Sequence, residues 1–122
     1  MDFVEKATQG SKHTPIFGYS VAGDDPVVVT IRGELDVSTA PDLSAVLEDL
    51  TLFNRSIALD LGATEYMDST GLHVLEKTRA SLEEAGGYLQ VSSASDPVRR
   101  VFELSGMDQV LPLPARSEGE GT

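Results

Sequence analysis

One short segment of the chain carries a hydroxyl group in a setting suited to phosphate chemistry. Residues 66–72 read Tyr-Met-Asp-Ser-Thr-Gly-Leu and lie where a predicted strand leads into a predicted helix. Ser69 falls in the first turn of that helix, beside unpaired backbone N–H groups and the positive end of the helix dipole, so a phosphate attached there would be tolerated within its own fold. The segment therefore predicts Ser69 as a phosphoacceptor. A simpler interpretation, compatible with the first, is that Asp68 or Ser69 caps the helix.

Gly71 lies two residues after Ser69 and has two interpretations. It is either a packing glycine or a position where bare backbone lets a partner approach closely. The spacing alone leaves both open.

A second chemistry that the same residues suggest is nucleophilic catalysis. An α/β-hydrolase elbow needs Gly-x-Ser-x-Gly, but the residue two before Ser69 is Met67, so half of the motif is missing. His73 follows Ser69 by four residues on the same helical face, and Asp36 or Asp68 could orient it in a Ser-His-Asp set. A lone helical histidine is far more often a surface or partly buried residue. A serine hydrolase is therefore only the contrasting alternative, and no catalytic residue is assigned.

Metal and cofactor chemistry have no support in the sequence. Cysteine is absent, which excludes disulfides, thiolate zinc sites and cysteine nucleophiles. The two histidines, His13 and His73, are isolated from each other, and neither a glycine-rich phosphate loop nor a Ca²⁺-loop spacing occurs. We expect no metal site and no cofactor.

A second segment of interest runs from Arg32 to Thr39 and connects a predicted strand to the first predicted helix. Its polar residues are typical of a solvated turn that ends in a helix cap. Alternatively, Glu34 and Asp36 belong to an acidic contact surface that adjoins Ser69. Periodicity alone does not decide between the two.

Length and charge restrict the kinds of partner. The chain has 122 residues, about one small domain, and 9 Lys+Arg against 20 Asp+Glu give a net charge of -11. Such an acidic balance repels the phosphates of nucleic acid and of anionic lipid, and favours a basic or mixed-charge protein partner. No apolar run approaches the roughly 18 residues of a membrane span, and residues 1–10 do not read as a signal peptide. We expect a cytoplasmic protein without direct nucleic-acid contact or membrane insertion.

Hydrophobic periodicity predicts strands and helices that alternate along the chain. The predicted strands, of which the first two should form a hairpin, are residues 16–21, 27–31, 57–61, 88–91 and 110–113. The predicted helices begin at Ser38–Thr39, at Asp68–Thr70 and at Asp96, and the last two end at Gly86 and Gly106. This order predicts an α/β domain with a mostly parallel or mixed sheet packed by helices.

Polar segments without periodicity flank these elements. Residues 1–14 and residues 114–122 are predicted to be flexible tails, and the domain is expected to span residues 15–113.

Four segments occur in a particular order and spacing: residues 33–36 followed by Thr39-Ala40, residues 67–72, Gly86-Gly87 before a strand, and residues 98–107. Together they closely resemble the STAS-domain anti-sigma factor antagonists of bacteria, over roughly residues 15–113. The resemblance implies a single STAS domain of the α/β class, with a mixed central sheet of about four or five strands packed by about four helices.

The resemblance also implies a regulatory binding protein without catalytic activity. In this family, the serine directly after the aspartate is phosphorylated by an ATP-binding anti-sigma factor that is also a serine kinase, and that position is Ser69 here. The unmodified antagonist binds the anti-sigma factor and frees the sigma factor, while a PPM-type serine phosphatase resets the protein. Thr70 occupies a second hydroxyl position and is a minor alternative acceptor.

The same resemblance also implies which residues form the site. The expected neighbours of the phosphosite are Asp36, which matches an acidic residue of the family, and Asp68, Thr70 and Gly71. The expected partner-binding residues are Gly33, Glu34, Leu35, Asp36, Ser38, Thr39, Met67 and Leu72. An alternative within the same fold is a STAS subunit that docks on a transporter or on a stress-signalling complex.

Overall fold

The computed structural model describes residues 4–8 and 17–115. The strands of this part are β1 (Val4–Thr8), β2 (Phe17–Ala22), β3 (Val27–Leu35), β4 (Ser56–Leu61), β5 (Thr64–Met67) and β6 (Tyr88–Ala94). The helices are α1 (Ala40–Phe53), α2 (Ser69–Glu84), α3 (Asp96–Ser105) and a short 3₁₀ helix (Met107–Gln109). Within these described ranges, no helix is both long enough and apolar enough to cross a membrane.

All of these strands belong to one mixed sheet. Its order is β1-β2-β3-β4-β6, and β5 pairs with β3. The pairs β1–β2 and β2–β3 are antiparallel, whereas β3–β4, β3–β5 and β4–β6 are parallel. The predicted α/β class, the mixed sheet and the β2–β3 hairpin are confirmed.

The apolar core lies on one face of this sheet. Val27, Val29 and Ile31 alternate along β3 and are buried at 3, 0 and 0% exposure, because alternate residues of a strand face the same side. The same core contains buried residues of all three α-helices, namely Leu43, Leu47, Leu72, Val74, Leu75, Leu82, Val98 and Phe102. The helices therefore fix the sheet and the loops that leave it.

The connection from α2 to β6 depends on two glycines. Gly86 has a positive φ of 88°, and the N–H groups of Gly86 and Gly87 donate to the carbonyl oxygens of Glu83 and Leu82 at 3.0 and 2.8 Å. This is a Schellman motif, and it confirms the predicted helix end. A Cβ on Gly87 would lie 1.7 Å from the carbonyl oxygen of Arg55, so only glycine lets the chain pass there.

The end of the described chain differs from the prediction. Residues 110–113, predicted as an edge strand, form a turn and irregular backbone after the 3₁₀ helix, so that prediction is wrong. Pro112 and Pro114 lack the N–H that strand pairing requires. Leu111 is nevertheless buried at 2% exposure, so the apolar pattern here reflects burial in the core.

Two strands were not predicted. Residues 4–8 of the expected N-terminal tail form β1, which pairs antiparallel with β2, so this part of the tail prediction is wrong. The strand β5 has four residues, and its central Glu65 and Tyr66 are exposed, so it shows no apolar alternation. The other predicted tail residues, 1–3, 9–14 and 116–122, lie outside the described residues.

Candidate functional site

Parallel pairing of β3 with β5 places the two predicted segments side by side. Leu35, which ends β3, is in register with Met67, which ends β5. Because the strands run in the same direction, the residues that follow them, Asp36 and Asp68, leave the same edge of the sheet. The N–H of Asp68 donates to the carbonyl oxygen of Leu35 at 3.1 Å, which joins the two loops. We call residues 33–39 and 66–72 together the Ser69 edge.

The start of α2 is fixed by Asp68. Its Oδ1 accepts hydrogen bonds from the N–H of Thr70 at 2.9 Å and from the hydroxyl of Thr70 at 2.5 Å. Asp68 is thus the N-cap, which the sequence allowed. Ser69, the first helical residue, is exposed, and its hydroxyl forms no hydrogen bond with any residue that the structure describes. Its oxygen is therefore accessible from solvent.

Gly71 is a packing glycine in this structure. A Cβ at this position would lie 3.1 Å from Cβ of Leu35 and 3.1 Å from Cγ of Met67. The missing side chain lets the first turn of α2 lie directly against the ends of β3 and β5. Ser69 is consequently held at the sheet edge by packing as well as by the helix cap.

The loop after β3 is organised around the Asp36 carboxylate. Its Oδ1 accepts from the Ser38 hydroxyl at 2.7 Å, from the Ser38 N–H at 2.9 Å and from the Thr39 N–H at 3.3 Å. The hydrogen bond from the Ser38 hydroxyl contributes most to holding the pKa of the Asp36 carboxyl below its ordinary value of 3.8; desolvation opposes it, and the two backbone N–H groups assist it. Asp36 is therefore negatively charged at neutral pH.

Thr39 closes this loop from the inside. Its hydroxyl donates to the carbonyl oxygen of Glu34 at 2.7 Å and accepts from the N–H of Asp36 at 2.9 Å. Thr39 precedes α1 and occupies its N-cap position, but its side chain makes no capping hydrogen bond. The hydroxyl that the sequence indicated as a helix cap instead fixes the shape of the loop.

The residues predicted to bind a partner fall into two groups by exposure. Those whose side chains or backbone reach the surface are Gly33, Glu34, Asp36 and Ser38. Those buried at 0, 1, 1 and 8% exposure are Leu35, Thr39, Met67 and Leu72. The buried group supports the Ser69 edge from below, and a protein docked on this edge would meet the first group and Ser69.

The sequence prediction omits two exposed apolar side chains of the Ser69 edge. Val37 is 73% exposed in the loop after β3, and Tyr66 is 48% exposed on β5, in register with Glu34. An apolar residue among polar turn residues was the signal that could have indicated Val37. Single exposed apolar residues are common on protein surfaces, so these two are of interest because they lie on the same edge as Ser69.

Ser69 and His73 do not form a catalytic pair in this structure. His73 is exposed, and across residues 17–115 no hydrogen bond joins it to Ser69. Nucleophilic catalysis relies on a base within about 2.6–3.2 Å of the nucleophile. The described residues also contain no group of three or more His, Cys, Asp or Glu side chains that could hold a metal ion. The serine-hydrolase alternative gains no support from the geometry.

We expect Ser38→Ala to raise the pKa of Asp36 toward 3.8, because this substitution removes the largest cause of the lowered value. Since the folded-state pKa lies below the unfolded one, the ionised carboxylate stabilises the folded loop at higher pH, and that contribution is lost as the pH falls through the folded-state pKa. NMR titration of the Asp36 carboxyl carbon measures the change. Ser44→Ala, which removes a hydroxyl bonded to Glu48, is the control. An Asp36 titration identical in wild type and Ser38→Ala would contradict this role of Ser38.

Known proteins of the same fold identify the family. The STAS domain family model matches residues 20–119. The chain is 33% identical to the anti-sigma-B factor antagonist of Bacillus subtilis (strain 168) over 96 residues. These aligned residues cover 79% of this chain and 88% of that protein. It is 34% identical over 93 residues to the anti-sigma-B factor antagonist of Staphylococcus aureus (strain NCTC 8325 / PS 47), covering 75% of this chain and 86% of that protein.

A solved structure agrees with these relatives. The crystal structure of an anti-sigma factor antagonist from Mycobacterium paratuberculosis matches with a TM-score of 0.73 and 29% identity, over 82% of this chain and 86% of that chain. The chain therefore belongs to the STAS domain family. Its place in that family is among the anti-sigma factor antagonists, which are regulatory binding proteins rather than enzymes, and this confirms the resemblance seen in the sequence.

Proposed function

We propose that this protein antagonises an anti-sigma factor and that phosphorylation of Ser69 controls its binding. The unmodified protein binds an anti-sigma factor that is also an ATP-binding serine kinase, and the bound sigma factor is thereby released. Phosphate on Ser69 ends this binding, and a PPM-type serine phosphatase restores it. The protein acts in the cytoplasm as a binding partner, with no catalytic step, cofactor, nucleic-acid contact or membrane insertion of its own.

The observation that carries this proposal is the setting of the Ser69 hydroxyl. It is exposed at the first residue of α2, and none of the described residues hydrogen-bonds to it. Asp68 supplies the helix cap, so the Ser69 hydroxyl is not engaged in capping α2. A kinase can therefore reach the oxygen without opening the domain.

The surface around Ser69 supports protein binding. Val37 and Tyr66 provide exposed apolar area, and the carboxylate of Asp36 provides negative charge beside it. The whole chain has a net charge of -11, so a partner whose facing surface is basic would associate faster and in a defined orientation. These features support a docking role for the Ser69 edge.

The proposal is tested by incubating the protein with its cognate anti-sigma factor kinase and labelled ATP. Wild-type protein should incorporate phosphate, and Ser69→Ala should not. Ser81→Ala removes another exposed serine of the same helix and should leave incorporation unchanged. Equal incorporation into wild type and Ser69→Ala would remove Ser69 from the mechanism, and stable capture of a membrane transporter instead of an ATP-binding kinase would favour the alternative STAS role.

A further inference from the structure

Two neighbouring hydroxyl groups in the first turn of α2 have different surroundings. The Ser69 hydroxyl is exposed and forms no hydrogen bond with the described residues. The Thr70 side chain is half-buried, and its hydroxyl donates to Oδ1 of Asp68 at 2.5 Å, while the Thr70 N–H donates to the same oxygen at 2.9 Å. The backbone contact is the helix cap, whereas the hydroxyl contact is additional to it.

We infer that Asp68 confines phosphate transfer to Ser69 by holding the Thr70 hydroxyl against its own carboxylate. This inference rests on the proposed function and adds to it a residue that determines the acceptor. Asp68 touches neither ATP nor the transferred group in this account, so it is a positioning residue and not a catalytic one.

The geometry of phosphoryl transfer gives the first reason. The acceptor oxygen must approach the γ-phosphorus of ATP in line with the bond that breaks. At Ser69, a bond forms between Oγ and that phosphorus, the bond from the phosphorus to the bridging oxygen breaks, ADP leaves, and the hydroxyl proton passes to a base of the kinase. The Thr70 side chain is half-buried and its Oγ1 faces the Asp68 carboxylate, so an in-line approach to the phosphorus requires this side chain to turn outward and give up its charge-assisted hydrogen bond.

The charge of the product gives the second reason. A phosphate on Thr70 would place a group of about -1.5 to -2 charges within direct contact range of the Asp68 carboxylate, unless the side chain turned outward. Two negative groups in contact disfavour each other strongly. The Ser69 hydroxyl is exposed and forms no hydrogen bond with Asp68, so its phosphate has an outward path to solvent.

The test maps phosphate by mass spectrometry after incubation with the cognate kinase and ATP. In a Ser69→Ala background, Asp68→Gly removes the acceptor for the Thr70 hydroxyl but keeps a residue type that starts helices well. We expect the amount of phosphate on Thr70 to rise at least about tenfold over that in Ser69→Ala alone. This factor corresponds to the free energy of one hydrogen bond to a charged group, which Thr70 no longer has to break. Asp68→Asn in the same background retains an acceptor oxygen but removes the negative charge, so phosphate on Thr70 should rise above the Ser69→Ala level but less than in Asp68→Gly.

A further variant separates the possible failures. Asp68→Gly with Ser69 intact should still accept phosphate on Ser69, and its circular dichroism should match that of wild type. If this variant is labelled on Ser69 but the double variant carries no phosphate on Thr70, the inference is overturned. If Asp68→Gly incorporates no phosphate at any residue, the kinase recognises Asp68 directly, and the inference is also overturned. An unlabelled wild-type protein would instead contradict the proposed function itself, and the inference would fall with it.

Discussion

The protein phosphorylated on Ser69 is expected to bind its anti-sigma factor about a thousandfold more weakly than the unmodified protein. The phosphate adds about -1.5 to -2 charges at neutral pH on an edge that already carries the carboxylates of Asp36 and Asp68. The free phosphoprotein already carries this repulsion, so the loss of affinity comes from an interface that excludes water and lowers the effective dielectric constant. Unit charges about 4 Å apart interact by about 1 kcal/mol in water and about 4 kcal/mol at an effective dielectric constant of 20. The difference is about 3 kcal/mol for each unit of charge, so a phosphate loses at least about 4 kcal/mol on docking, a factor of about 10³ in the dissociation constant.

The favourable interaction of phosphate with the α2 dipole does not cancel this loss. The dipole contributes about 0.3–1 kcal/mol, and it acts on the free phosphoprotein as well as on the complex. Burial of the dianion in an interface adds a desolvation cost that the free phosphoprotein does not have. The balance therefore favours release of the partner.

Isothermal titration calorimetry of the two forms against the purified partner measures this effect. Ser69→Asp should weaken binding less than phosphate does, because it adds only one charge. The matched control is Ser81→Asp, an equal charge change on the same helix about 18 Å farther along, which should bind like wild type. Equal affinity of the phosphorylated and unmodified forms for the partner would contradict the proposed switch.

Gly87→Ala is expected to cost at least about 3 kcal/mol of the free energy of unfolding, a large part of the roughly 5–15 kcal/mol available to such a domain. The new Cβ would lie 1.7 Å from the carbonyl oxygen of Arg55 and 2.5 Å from its carbonyl carbon. These are backbone atoms of the residue directly before β4, so a side-chain rotation cannot relieve the clash. The hydrogen bond from the Tyr88 N–H to the same oxygen, now 2.9 Å long, would also be disrupted.

Gly106→Ala is the matched control, because it makes the same chemical change in open space. Gly106 has a φ of 81°, and an added Cβ there would have no heavy atom within 4 Å. Its cost should be only the left-handed backbone penalty of about 1–2 kcal/mol. Urea unfolding of both variants makes the comparison, and a Gly87→Ala protein no less stable than Gly106→Ala would show that the β4–β6 junction adjusts freely.

Features that depend on local chemistry could be predicted from the sequence. The start of α3 depends on Ser95, whose side-chain oxygen accepts a hydrogen bond from the N–H of Val98. Pro97 in the first turn also favours a helix start at this point. The end of α2 follows from Gly86, which adopts the left-handed conformation. The sequence also limited the cap of α2 to Asp68 or Ser69, and the structure assigns it to Asp68. In each case, a few neighbouring residues contain the whole physical cause.

Features that depend on pairing between distant segments could not be predicted from those patterns. The strand β5 exists because it pairs with the end of β3, beyond a register shift at Gly33/Glu34. The same pairing brings Asp36 next to Asp68, although 32 positions separate them in the sequence. The inward role of Thr39 likewise depends on the path of β3, because its hydroxyl reaches back to the carbonyl oxygen of Glu34.

The hydrogen bond between the Asp68 N–H and the Leu35 carbonyl oxygen joins both loops of the Ser69 edge to each other and to the ends of β3 and β5. In the proposed switch, Ser69 gains or loses a phosphate while the two loops keep this connection. The state of the protein would then be recorded in the covalent modification alone, and repeated phosphorylation and dephosphorylation would leave the scaffold unchanged. The speed of the signal would be set by the kinase and the phosphatase, and not by any refolding of this domain.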